Sequence, residues 1–150
     1  MAARAVWRRP GLSRADFARE LGLHRSTAGN LLGGLIEAGL LREGEAGESA
    51  PRGGRRPVSI DFDPGFGLVA GIDLSPARTL CALATPDGAI VERFALERGV
   101  GAGASGSGLA ERTVEAVGAA RARARSRGLP LVGACAAVPG VVDPFKGVVV

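Results

Sequence analysis

The sequence predicts an α+β winged helix-turn-helix followed by an α/β domain that the chain leaves incomplete. Three observations predict it. Residues 12–57 run as a short helix, a tight turn, a second helix with an apolar stripe, and an arginine-bearing loop. After Asp63-Pro64-Gly65 the apolar segments follow the order β-β-β-α-β, with no closing element. The charge is also segregated. Residues 1–60 carry ten Arg against six acids, a net of +4, whereas residues 61–150 carry eight Arg and Lys146 against nine acids, a net of 0. A basic first module beside a neutral second one suggests a polyanionic partner for the first alone.

The other bulk properties exclude more than they assign. Hydrophobic content of 46% argues against disorder throughout. Arg outnumbers Lys eighteen to one, which reads as a coding preference of a GC-rich genome rather than as chemistry. Cys81 and Cys135 lie far apart in apolar runs and read as small buried hydrophobes, not a disulfide or metal pair. The opening MAARAVWRRPG lacks the apolar core of a signal peptide, and no run reaches the ~20 apolar residues of a membrane span. The expectation is a cytoplasmic protein with no membrane partner.

Residues 2–9 are helix-prone up to Pro10-Gly11, with Val6 and Trp7 expected to pack on later helices. Ser13 starts the next helix, and Asp16 stands where the acid of a capping box belongs. Phe17, Ala18 and Leu21 form its inward face, and Gly22 permits the sharp turn that ends it. The third helix spans about Arg25 to Ala38, with Ala28, Leu31, Leu32, Leu35 and Ile36 inward. Its outer N-terminal face keeps Arg25, Ser26, Thr27, Gly29 and Asn30, the part of a recognition helix that meets base edges. Arg25 suits guanine or phosphate, and Asn30 suits adenine. Gly29, Gly33 and Gly34 each cost this helix roughly 1 kcal/mol against Ala, so packing must hold it.

Gly39 caps that helix. Leu40-Leu41-Arg42 open a strand, Glu43–Gly54 reads as a loop, and Val58–Phe62 is a second strand. Two strands around a loop make a wing, whose Arg52, Arg55 and Arg56 would approach phosphates or a narrow minor groove.

Beyond the boundary, Gly67–Leu74 reads as a buried strand and Thr79–Ala84 as a second. Pro86-Asp87-Gly88 turns the chain into a third strand, Ala89–Leu96. Gly99–Gly108 reads as a Gly/Ser-rich loop. Leu109–Arg127 is a helix with Leu109, Val114, Val117 and Ala120 inward and a solvated basic end at Arg121, Arg123, Arg125 and Arg127. Leu131–Val138 is a further buried strand turned by Pro139-Gly140, and Val148–Val150 starts another.

Few motifs carry chemistry. Gly101-Ala-Gly103-Ala-Ser-Gly106 formally matches G-x-G-x-x-G, but its preceding strand ends a hairpin and no acid lies about twenty residues on. His24 is the single histidine, so a catalytic triad or histidine zinc site lacks a basis, and no catalytic residue, metal or cofactor is expected. Asp73 and Asp143 stand near strand ends, where α/β folds place ligand carboxylates.

SRADFARELGLHRSTAGNLLGGLIEAGLL, GGRRPVSIDFDP, GIDL before a hairpin, and VGACAAVPGVVDPFKGVVV together resemble the ROK family of repressors and sugar kinases. The resemblance implies an actin-like ATPase (ribonuclease H-like) lobe over residues 66–150 behind a DNA-binding domain over residues 1–62. It implies a duplex DNA operator, a sugar or sugar-phosphate effector, a homodimer in the full-length form, and repression of carbohydrate genes. Pro139, Gly140 and Asp143 match a family element near the sugar cleft, and Asp73 ends the GIDL strand. The kinases follow that strand with a glycine-rich phosphate turn. Here it is Ser75-Pro76-Ala77-Arg78, in which Pro76 offers no amide hydrogen. The family's catalytic Asp, sugar-binding His/Glu motif and Cys-rich zinc segment have no counterpart up to Val150. The expectation is a truncated or partial regulator, not an enzyme, with a non-functional fragment or a sugar kinase as the alternatives.

Overall fold

The computed structural model describes residues 2–46, 58–75, 78–97, 106–140, 142–143, 145–146 and 148–149. The chain divides into two compact units, residues 1–66 and 67–150. The first reaches beyond Phe62 because the Asp63 amide donates to the Leu40 carbonyl (3.0 Å) and the Phe66 amide to that of Asp63 (3.1 Å).

In the first unit, α1 (Ala2–Arg8) buries Ala5 and Val6. Trp7 is 57% exposed, contrary to its expected packing: a seven-residue helix buries one side, and Trp7 lies about 100° round from Val6. β1 (Leu12–Ser13) leads into α2 (Arg14–Glu20). The capping box forms as expected, with Ser13 accepting from the Asp16 amide and the Asp16 carboxylate taking the Ser13 amide. Those bonds to Ser13 hold the Asp16 carboxyl below the usual carboxylate range. Gly22, at φ 62°, makes the turn into α3 (Arg25–Glu37).

β2 (Leu41–Ala46) and β3 (Val58–Phe62) pair antiparallel, and β1 pairs with the other edge of β3, in the order β1-β3-β2. Glu43 therefore belongs to a strand rather than to a loop, in register with Ile60. Polar residues suit this strand because its outer face is solvated. Val6, Phe17, Ala28, Leu32, Leu41 and Ile60 form the core. Leu31 is not in it, being 44% exposed one helical step from the fully buried Leu32.

The second unit holds a four-stranded sheet in the order β6-β5-β4-β7. β4 (Leu68–Asp73), β5 (Thr79–Ala84) and β6 (Ile90–Leu96) form an antiparallel meander, and β7 (Leu131–Ala137) lies parallel to β4. α4 (Gly106–Ser126) is the crossover, and it starts ahead of the expected Leu109. Ala116, Ala120 and Ala124 are fully buried along one row of it. Such small side chains let the helix lie close on Leu68, Ala70, Ile72 and Leu83. Val114, expected inward, is 73% exposed because it falls off that row. β4 buries alternate residues rather than its whole length, and β7 is mostly exposed beyond Leu131, as an edge strand paired on one side. Cys81 is buried but Cys135 is exposed, correcting the expectation for the latter; burial pushes the Cys81 thiol up. Arg123 and Arg127 are not simply solvated. Both bind Glu92, and Arg123 also stacks on the Phe94 ring at 3.8 Å.

Gly67, at φ 148°, leaves no room for a side chain. A Cβ there would stand 2.8 Å from the Pro130 carbonyl oxygen, where the Leu68 amide anchors β4. The turn at Thr85–Ala89 closes as expected, with Gly88 at φ 94°. The Thr85 hydroxyl donates to Asp87 and holds that carboxyl below its ordinary range. β8 (Val142–Asp143) and β9 (Val148–Val149) form a short hairpin.

Candidate nucleic-acid interface

α3 is held from below and open above. Ala28 and Leu32 are buried, Leu35 and Ile36 pack beside them, and α2 and β2 back the helix. Ser26, Thr27 and Asn30 point away from that core and Arg25 lies at the α2–α3 turn, all four exposed. The structure thus brings these four predicted residues together on the first turns of one helix. A Cβ at Gly29, Gly33 or Gly34 would meet nothing within 4 Å, so internal packing does not require these glycines.

The helix start favours anions. Its first turn holds no acid, so Arg25 and the positive end of the helix dipole act together. His24 is the N-cap residue, in extended backbone at φ −64° and ψ 147°, yet its side chain makes no capping bond. Its Nδ1 stands 2.9 Å from Ser26 Oγ instead. Arg19, His24 and Arg25 line the groove at the α2–α3 turn, with Arg19 ion-paired to Asp16. Charge pattern alone did not single out His24. The signal was an imidazole at an N-cap position, where Ser, Thr, Asp or Asn is favoured.

The wing is tied to α2. Arg14 Nε and Nη2 donate to Glu43 Oε1 at 3.0 and 2.8 Å. Arg52, Arg55 and Arg56 lie outside the described residues.

In the second unit, Asp73 and Ala137 are register partners on the parallel strands β4 and β7. Asp73 and the Pro139-Gly140 turn therefore leave the carboxyl ends of neighbouring strands, the end at which open α/β sheets hold ligands. The Ser75 hydroxyl donates to Asp73 Oδ1 (2.9 Å). Asp143 serves its own hairpin, Oδ1 accepting from the Phe145 and Lys146 amides at 2.9 and 3.1 Å. Sequence reasoning missed Arg112, which donates from α4 to the Ser75 carbonyl (2.7 Å) and to Thr79 Oγ1 (2.9 Å). It pins both ends of the turn after β4. No helix is long and apolar enough to cross a membrane among the described residues.

Two helices at a tight glycine turn, an exposed second helix and a two-stranded wing define a winged helix-turn-helix. Residues 8–45 match the IclR helix-turn-helix domain. The chain is 40% identical over 63 residues to a putative xylose repressor of Caldicellulosiruptor sp. (strain Rt8B.4), covering 42% of this chain and 15% of that protein. It is 27% identical over 70 residues to the xylose repressor of Staphylococcus xylosus, covering 47% of this chain and 18% of that one. Its fold matches the crystal structure of a ROK family transcriptional regulator, a homologue of the E. coli MLC protein. That match has a TM-score of 0.71 at 17% identity and covers 99% of this chain and 37% of the other. The chain thus spans under a fifth of the two xylose repressors. The resemblance to ROK-type transcriptional regulators is borne out, and the fold mixes α and β as expected.

Proposed function

We propose that this protein is a DNA-binding transcriptional regulator that represses carbohydrate genes in response to a sugar or sugar phosphate. The observation that carries this reading is the exposed face of α3, with Arg25, Ser26, Thr27 and Asn30 raised over buried Ala28 and Leu32. In a major groove, Asn30 pairs with adenine and Arg25 takes guanine or phosphate, while Ser26 and Thr27 meet base or phosphate oxygens. Arg52, Arg55 and Arg56 serve the backbone or minor groove. Residues 1–62 act as the reading head.

Residues 66–150 act as part of an actin-like sensor lobe, with Asp73, Pro139, Gly140 and Asp143 at its ligand end. The shared register of β4 and β7 supports this placement for Asp73 and the Pro139-Gly140 turn, and repression by relatives named for xylose supports a sugar as effector. The regulator works in the cytoplasm, as a homodimer on a palindrome, and is not an enzyme. Selection of bound sites from a random duplex library tests the reading: an enriched inverted repeat is expected, and recovery of no sequence above background refutes it.

A further inference from the structure

Among the described residues, the Ser26 hydroxyl has one hydrogen-bond partner, Nδ1 of His24 at 2.9 Å. The direction of that bond follows from the state of the imidazole. When Nδ1 carries hydrogen it donates to Ser26 Oγ, and the Ser26 O–H is left free to donate outward. That suits guanine O6 and N7, adenine N7 or thymine O4. When Nδ1 is bare it accepts the Ser26 hydrogen, and the outward lone pairs of Oγ suit the amino groups of adenine or cytosine. Protonated imidazole has donors only, so it admits the first arrangement alone.

From this geometry we infer that His24 is a positioning residue that sets whether the Ser26 hydroxyl is free to donate to a base edge or is held to accepting alone, so that operator preference shifts with pH. The inference rests on the reading of α3 as the DNA-contacting helix. The charged groups around His24 are Arg19 on α2, already paired with Asp16, and Arg25 on α3. Among the described residues no carboxylate lines the groove at the ring.

The test is site selection with the full chain at about pH 5.5 and about pH 8, using wild type, His24→Asn and Ser26→Ala. Asn suits the N-cap position and does not titrate in this range. Wild type is expected to change its preference at one base position by about fivefold or more between the two buffers. His24→Asn should give the same motif in both, and Ser26→Ala should lose selectivity at that position while keeping the others. A wild-type motif identical at both pH values overturns the inference, as does a uniform gain in affinity on every duplex at low pH. Enrichment of nothing at either pH overturns it through the underlying reading of α3.

Discussion

Arg14 and Glu43 join the first turn of α2 to the first wing strand, two guanidinium nitrogens meeting one carboxylate oxygen at 3.0 and 2.8 Å. Both side chains are about half exposed, at 47% and 49%. Exposed pairs contribute roughly 0.2–1 kcal/mol and weaken in salt. A double-mutant cycle with Arg14→Gln and Glu43→Gln should give a coupling in that range, shrinking as salt rises. Trp7, the one tryptophan, reports unfolding of the first unit. A coupling of several kcal/mol would show that the pair is far less solvated than its exposure indicates.

The Ser13–Asp16 capping box gives a pH signature. Ser13→Ala should cost about 1 kcal/mol. Asp16 has a lowered carboxyl pKa in the folded chain. Its contribution is therefore present above the unfolded carboxyl value of about 4 and is lost as pH falls through the lower folded value. Trp7-monitored melts should show a steeper acid loss in wild type than in Asp16→Asn below that point. Parallel acid limbs would contradict the assignment.

Gly34→Ala should stabilise the first unit by up to about 1 kcal/mol, because the added Cβ meets nothing and Ala favours helix. A lower Tm would mean that the helix surface is more crowded than the structure shows.

Much of this fold was legible because local chemistry fixed it. The Ser13/Asp16 box, the Gly22 turn and the Pro86-Asp87-Gly88 turn each act through neighbours in sequence. So was the exposure of Arg25, Ser26, Thr27 and Asn30, which stand outside the buried Ala28 and Leu32. Residues at the border of a stripe were misread. Leu31, Trp7 and Val114 have apolar side chains, but periodicity does not say how wide the covering surface is. The Leu12–Ser13 strand was missed because two residues carry no period, and its partner β3 is distant in sequence. Arg112 and His24 were missed as site residues because their partners are carbonyls and a hydroxyl, which sequence pattern does not reveal.

The alanine row of α4 yields a contrast. Ala120→Leu places three more carbons where the residue is fully buried against the sheet and should cost about 1–3 kcal/mol. Val114→Ser, on the exposed side, should change stability by no more than about 0.5 kcal/mol. Circular dichroism melts of the two variants check both values. Equal effects would mean that the helix packs on a different face.

The central claim is that α3 reads sequence through its exposed face. The direct measurement is a fluorescence-anisotropy titration of wild type and Asn30→Ala, on the selected duplex and on a scrambled one, at several salt concentrations. The account predicts that Asn30→Ala loses about 1–3 kcal/mol on the selected duplex, nothing on the scrambled one, and keeps the salt slope. Equal affinity of wild type for both duplexes, or an equal loss on both in the variant, would contradict it.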